Sequence, residues 1–224
     1  MARITIILIL LGIILFGFVV KLFDIRKLYQ RLEYTESYRN DFLTLYEQIN
    51  KSGKYDEQLY YKLMQEVHKI QSELGVDGII SVYQDQLAGI RINNYPLFLN
   101  FFNELRTQML NYSLFAERIY LSVGSCDKAM TKHIGLLKEA IHIAKKDIIN
   151  PFRCFSCGIN TICSIPVKIL EWCQIINVSS SGRILNSKLH TLISKVITLI
   201  GLVGSLITII LGWNQVVSLF KLFI

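Results

Sequence analysis

The sequence predicts an all-α fold in which two transmembrane helices flank a cytoplasmic helical domain with an antiparallel helical hairpin. Three observations lead to it: an uncharged apolar run near each end of the chain, basic residues on the inner side of both runs, and apolar residues at helical spacing between them. We expect four segments: an N-terminal anchor at 1–23, a cytoplasmic helical domain at 24–150, a cysteine-containing juxtamembrane segment at 151–190, and a membrane helix with a short tail at 191–224.

The two apolar runs, Ile4–Val20 and Val196–Trp213, contain seventeen and eighteen residues without a charge. A helix needs roughly 20 apolar residues to cross a bilayer. Both runs reach that length with their flanks, because Lys21 and Lys195 can extend their charged ends to the interface. The first run is longer than the apolar part of a signal peptide and no small-residue cleavage site follows it, which predicts an uncleaved anchor.

Basic residues give the orientation of both helices. They follow the first run and precede the second, at Lys21, Arg26, Lys27, Arg31, Arg39, Arg183, Lys188 and Lys195. The positive-inside rule then places the middle of the chain in the cytoplasm and both termini outside, as a multi-pass protein. The odd number of cysteines, five, suits a reducing compartment.

The net charge of +7 is distributed unevenly, since every acidic residue lies between Asp24 and Glu171. The basic, acid-free segment that follows suits an anionic leaflet, so we expect the lipid bilayer as a partner. Nucleic-acid binding is the alternative for such a basic chain. We do not expect it, because the basic residues are not clustered with stacking aromatic residues in a recognisable module.

The middle of the chain has several local signals for helices. Beyond Lys21 the first helix continues out of the membrane, and the residues "KSGK" at 51–54 indicate a turn. Asp56 is placed to cap the next helix, and Gly75 to end it. Residues 76–94 fit a short strand, a short helix or both.

Two further helices show heptad spacing on either side of "GSCD" at 124–127, where Ser125 or Asp127 is placed to cap the second helix. This pattern predicts an antiparallel hairpin. Its apolar face includes Phe98, Phe102, Leu105, Met109, Ile134, Leu137 and Ile141. Core packing is the default interpretation of this face, and a groove for a partner helix is the alternative. Packing across subunits, as a homo-oligomer, also stays open.

Ser164 and Pro166 indicate the start of a new helix that continues to Val178. One face of it carries Ile165, Ile169, Trp172 and Ile176. The helix is too short to span, so it fits either an amphipathic helix in the bilayer interface or a core helix of the cytoplasmic domain.

Four cysteines are candidate zinc ligands, at Cys154, Cys157, Cys163 and Cys173. The first two have the C-x2-C spacing of a zinc site, but the second close pair is missing, so we expect no metal. The chain has no nucleophile-elbow, P-loop, HExxH or Rossmann motif. We therefore expect no catalytic or cofactor-binding residues, no cofactor and no enzymatic activity.

Small residues recur along the second membrane helix, at Gly201, Ser205, Thr208 and Gly212. Helices associate in lipid through close backbone approach and polar contacts, which small residues allow. This face therefore predicts packing against another membrane helix.

The segments "NPFRCF", "IPVKILEWCQII" and "LITIILGW" between Asn150 and Trp213, with the two-span plan, resemble small two-transmembrane effectors of bacterial phage-defence systems, including retron-associated ones. The resemblance implies an abortive-infection effector of the inner membrane. A cytoplasmic protein or ribonucleoprotein partner would hold it inactive until release, when it would damage the membrane. Both spans nearly lack polar residues that could line a pore, so toxin-like disruption of the bilayer fits better than a channel. The competing function is a constitutive scaffold that tethers a cytoplasmic partner through its hairpin.

Overall fold

The computed structural model describes residues 2–52, 56–85, 90–109 and 116–211, and it is mostly helical, which confirms the all-α class. The helices in chain order are α1 (Ala2–Ser52), α2 (Glu57–Gln65), α3 (Val67–Leu74), α4 (Leu97–Met109), α5 (Ala116–Ile149), α6 (Pro151–Trp172), α7 (Val178–Leu185) and α8 (Lys188–Leu211). A 3-10 turn at Gly75–Gly78 leads into the antiparallel strands β1 (Ile79–Asp85) and β2 (Ile90–Pro96).

The helix ends around α2 and α3 follow the expected local chemistry. The carboxylate of Asp56 accepts a hydrogen bond from the backbone N–H of Gln58 at 2.8 Å, which confirms the predicted cap. Gly75 follows the end of α3 with φ +53°, a conformation that glycine adopts without a steric cost. The expected single helix is divided into α2 and α3 at Glu66. The region after Gly75, where the sequence fits a strand, a helix or both, contains the antiparallel strands β1 and β2, in which Ile80 pairs with Tyr95.

The chain divides into two compact units, one of residues 27–142 and one of residues 1–26 with 143–224. We call the first the helical domain and the second the terminal unit. The boundaries fall inside α1 and α5, so each of these helices contributes residues to both units.

The core of the helical domain contains an aromatic cluster on α1 and α4. The ring centroids of Phe42 and Phe98 lie 5.7 Å apart, and those of Phe42 and Phe101 lie 5.0 Å apart. Phe98, Phe102 and Leu105 of the predicted hairpin face are buried here. Its second half, Ile134, Leu137 and Ile141, is buried against Leu32. Burial of each such side chain stabilises the fold by about 1.5–3 kcal/mol. The predicted hairpin face is therefore part of the core of the helical domain.

The predicted turn at 124–127 is wrong, because α5 continues through it. Ser125 donates its hydroxyl hydrogen bond to the carbonyl of Leu121, and Asp127 pairs with Arg39 at 2.6 Å, so neither residue caps a helix. Gly124 inside a helix costs only about 1 kcal/mol relative to alanine, which the buried side chains of Cys126 and Met130 can offset. The hairpin predicted around this turn is therefore not confirmed, and residues 110–115, between α4 and α5, lie outside the described ranges.

The predicted helix start at Ser164 and Pro166 is also wrong, since both residues lie inside α6. Asn150 caps α6 by accepting a hydrogen bond from the N–H of Phe152 at 3.0 Å. The Ser164 hydroxyl bonds back to the carbonyl of Asn160 at 2.7 Å instead of opening a new helix. The helix ends at Trp172, so Ile176 of the predicted interfacial face lies beyond it.

Within the described residues, one helix, α1, is long and apolar enough to cross a membrane by length and composition. Its apolar N-terminal part leaves side chains such as Leu8, Ile9, Leu11 and Leu15 exposed. Helices α7 and α8 pass the same test only when taken as one pair, which is bent by 50°. The second predicted transmembrane helix is therefore not confirmed.

Candidate functional site

Two glycines bring α1 and α6 of the terminal unit together backbone to backbone. A Cβ atom added to Gly17 would overlap the carbonyl oxygen of Cys154. One added to Gly158 would lie 2.5 Å from the carbonyl oxygen of Ile13. Real Cβ atoms do not approach backbone atoms so closely, so only glycine fits at both positions. Such small residues allow helices to pack closely in lipid.

These contacts also define the direction of α6. Gly17 of α1 lies against Cys154 of α6. Ile13, one turn earlier on α1, lies against Gly158, one turn later on α6. The two helices are therefore antiparallel, and α6 lies beside the apolar part of α1. The sequence gives no local signal for this pairing, because the apolar run contains two glycines, Gly12 and Gly17, and nothing in it distinguishes them.

Helix α6 has two different faces. Its buried residues include Cys154, Phe155, Gly158, Ile159 and Ser164. Exposed apolar side chains lie elsewhere on it, among them three of the predicted interfacial residues, Ile165, Ile169 and Trp172. Apolar side chains are likewise exposed on α1 and on α8, including Leu199, Ile200 and Val203. Exposed apolar surface on three neighbouring helices is typical of a membrane or protein contact.

Helix α8 packs on α6 at the first of its predicted packing residues. A Cβ atom on Gly201 would lie 3.0 Å from Cζ of Phe155, whereas one on Gly204 would meet nothing within 4 Å. The side chains of Ser205 and Thr208, and all of Gly212, lie outside the described part of the chain, as does the side chain of Met109 from the hairpin face.

A cluster of charged residues follows the apolar part of α1. Lys21 Nζ lies 3.2 Å from Oδ2 of Asp147, near the end of α5, and Arg153 of α6 pairs with the other oxygen of the same carboxylate. The side chains of Lys21 and Asp147 are only 18% and 20% exposed. Sequence reasoning assigned Lys21 to the membrane interface but missed its partners, because nothing in the sequence links it to Asp147.

A polar cleft of about 610 Å³ opens beside this cluster, and all of its lining residues belong to the terminal unit. The charged cluster contributes Lys21, Asp147 and Arg153 to the lining. The other lining residues are on α6, α8 and the segment before α8: Ser156, Cys157, Asn160, Leu185, Asn186, Thr191, Ser194, Lys195 and Thr198. Its hydroxyl, amide and cationic groups are suited to binding a polar or anionic group.

The four candidate zinc ligands are distributed along α6 and at its C-terminal end. Cys154, Cys157 and Cys163 lie along α6, and Cys173 follows its last residue. The thiol of Cys154 contacts the carbonyl oxygen of Ile148 at 3.4 Å. Across the described ranges, no group of three or more histidine, cysteine or acidic side chains is placed to hold a metal ion.

The terminal unit thus combines a close helix crossing, exposed apolar surface and a polar cleft. The close crossing is suited to helix association, the exposed apolar surface to contact with lipid, and the polar cleft to an anionic ligand.

Comparison of the chain with protein-family models, with curated proteins and with solved structures finds no match.

Proposed function

We propose that the chain is a membrane effector that disturbs the bilayer when it is activated. The terminal unit lies in the inner membrane of a bacterium, and the helical domain lies in the cytoplasm. The observation that carries the proposal is the contact of Gly17 with α6, which holds a second helix directly against the apolar part of α1. The resemblance to phage-defence effectors supports the same function.

The proposal follows from what a plain anchor needs. One apolar helix is enough to hold a protein in a membrane. Here α6, which lies beside that helix, carries polar side chains that include the exposed Asn160 and the buried Ser164. Polar groups at membrane depth are costly and usually functional. A rearrangement of α6 would expose the buried Ser164 to lipid and perturb the bilayer without forming a selective channel.

The distribution of charge supports the orientation. The basic residues that follow the apolar part of α1 and precede the apolar part of α8 favour a cytoplasmic middle region, with both chain termini outside, in a multi-pass arrangement. A partner, either a protein or a ribonucleoprotein complex, would bind the helical domain and hold the terminal unit inactive. Activation would then consist of the loss of that partner.

The test is induced expression in a bacterium without the natural partner, with a membrane-potential dye as the readout. We expect the wild type to collapse the potential and stop growth. Gly158→Leu should abolish the effect at equal protein level in the membrane, because its side chain would meet the backbone of Ile13. Gly12→Leu is the matched control, since a Cβ there meets nothing within 4 Å. Normal potential and growth with the wild type would overturn the proposal.

The competing function is a scaffold that binds a partner through the hairpin face. Phe98, Phe102 and Leu105 of that face are buried in the core of the helical domain, which favours the effector. Replacing the apolar part of α8 with an unrelated apolar helix separates the two functions. A scaffold should survive the replacement, whereas the effector should lose its activity.

A further inference from the structure

We propose that the polar cleft of the terminal unit binds a phosphate group, carried by the headgroup of an anionic lipid or by free phosphate. The inference goes beyond the proposed effector function, because a plain membrane anchor with this cleft would bind the same group. Three features of the cleft support it: its charge, a buried hydroxyl without a partner, and its place next to the apolar part of α1.

The cleft has more positive than negative charge. Lys21, Arg153 and Lys195 line it together with one carboxylate, that of Asp147. Asp147 pairs with both Lys21 and Arg153, whereas Lys195 forms no ion pair with any residue that the structure describes. A phosphate group would supply the missing negative charge, and charge-assisted hydrogen bonds to it are stronger than neutral ones.

Ser194 supplies the second feature. Ser194 is one of the residues that line the cleft and is only 5% exposed, yet its hydroxyl is buried and has no hydrogen-bond partner within the described part of the chain. One helical turn earlier, Nε2 of His190 is also buried without a partner among the described residues. Buried polar groups in native proteins are nearly always hydrogen-bonded, so an unsatisfied hydroxyl in a basic cleft points to an absent acceptor.

The location of the cleft connects it with lipid. Lys21 directly follows the apolar run of α1, at the depth where headgroups would lie if α1 crosses a bilayer. Basic pockets between membrane helices on the cytoplasmic side are typical sites for anionic headgroups. The same cationic and hydroxyl groups would also accept a phosphate from solution, and the experiment distinguishes these two sources.

The experiment uses the full chain in dodecylmaltoside, titrated separately with dioctanoyl phosphatidylglycerol, dioctanoyl phosphatidylcholine and inorganic phosphate, with binding measured by thermophoresis. The variants are Lys195→Gln and Ser194→Ala. The matched control is Lys188→Gln, which removes the same charge from an exposed position of α8 outside the cleft. Circular dichroism verifies that each variant keeps the helical content of the wild type.

We expect phosphatidylglycerol to bind the wild type, about fivefold more weakly after Lys195→Gln and about tenfold more weakly after Ser194→Ala. Lys188→Gln should bind as the wild type does. Phosphatidylglycerol binding without phosphate binding identifies a lipid site, and phosphate binding with the same dependence on the variants identifies a soluble ligand. Equal affinities in all four proteins, or phosphatidylcholine binding as tightly as phosphatidylglycerol, would overturn the proposal.

Discussion

Gly17 of α1 and Cys154 of α6 meet through their backbones, because Gly17 has no side chain to hold the two helices apart. Gly158 completes the crossing from the other helix, one turn beyond Cys154. Gly12 lies on the same apolar run of α1 as Gly17, but a Cβ atom there would meet nothing within 4 Å. The two glycines of this run therefore form a matched pair of test sites.

Gly17→Ala should destabilise the terminal unit by about 1–3 kcal/mol, the usual cost of forcing extra atoms into a packed contact. The added methyl group would overlap the Cys154 carbonyl, so the helices must separate. Gly12→Ala should leave stability unchanged or raise it slightly, because alanine is the better helix former. Dodecyl sulfate titration of the full chain, followed by circular dichroism, measures both. Equal unfolding midpoints for the two variants would contradict the crossing.

The contact between α6 and α8 gives a second prediction. Gly201→Leu should destabilise the chain by about 1 kcal/mol or more, because the new side chain must displace the ring of Phe155. Gly204→Leu is the control, since a Cβ there meets no atom within 4 Å. Thermal unfolding in dodecylmaltoside measures the difference.

The same contact can be tested by compensation. Phe155→Leu makes room beside Gly201, so the double variant Gly201→Leu with Phe155→Leu should lose less stability than the two single losses predict when added. Strict additivity would mean that the two residues do not touch.

Some of this structure was predictable from the sequence, and the rest depended on distant contacts. Phe98, Phe102 and Leu105 were identified as a packed face, because apolar residues at helical spacing share one side of a helix. The turn at Gly124–Asp127 was predicted wrongly, because local preferences cannot register the pairing of Asp127 with Arg39.

The candidate site shows the same limit more strongly. The sequence identified Gly201 as a small packing residue and Lys21 as an interfacial cation. It gave no indication that Gly17 meets α6, or that Lys21 pairs with Asp147, because these partners lie far along the chain. In the sequence, the only trace of a close approach of two backbones is a glycine on each helix. Because glycines are common in membrane helices, such a glycine does not identify the partner helix.

Glu73 connects three helices of the helical domain. Its Oε1 lies 2.7 Å from Nε of Arg31 on α1 and 3.0 Å from Nε2 of His133 on α5. Glu73→Ala should lower the free energy of unfolding by about 1–3 kcal/mol, because the variant leaves the largely buried His133 without its acceptor. Urea unfolding of the full chain in dodecylmaltoside at pH 7 is the measurement.

The control for Glu73 is Glu36, whose carboxylate pairs with Lys138 at 2.8 Å near the surface. Exposed pairs contribute less than about 1 kcal/mol, so Glu36→Ala should cost clearly less than Glu73→Ala. Similar losses in the two variants would show that the Glu73 contacts add nothing beyond an ordinary surface pair.

The buried phenol of Tyr38 should make the stability of the helical domain depend on pH in the alkaline range. Its hydroxyl donates a hydrogen bond to the carbonyl of Leu63 at 3.1 Å, and burial raises the pKa of the phenol above its ordinary value. In the unfolded chain a tyrosine ionises near pH 10, at roughly its model value. The contribution of Tyr38 to stability is therefore complete below about pH 10 and is lost as the pH rises further, because the unfolded state releases the proton first.

Tyr38→Phe removes both the hydrogen bond and the ionisation. At pH 7 the variant should be less stable than the wild type by about 1 kcal/mol. Above about pH 10 the wild type should lose stability more steeply than the variant, by up to about 1.4 kcal/mol per pH unit, so the two curves converge. Urea unfolding between pH 7 and pH 12 measures both effects, with Tyr61→Phe at an exposed position as the control that should follow the wild type. Parallel curves for Tyr38→Phe and the wild type across this range would show that the folded chain does not hold the Tyr38 proton more tightly than the unfolded chain.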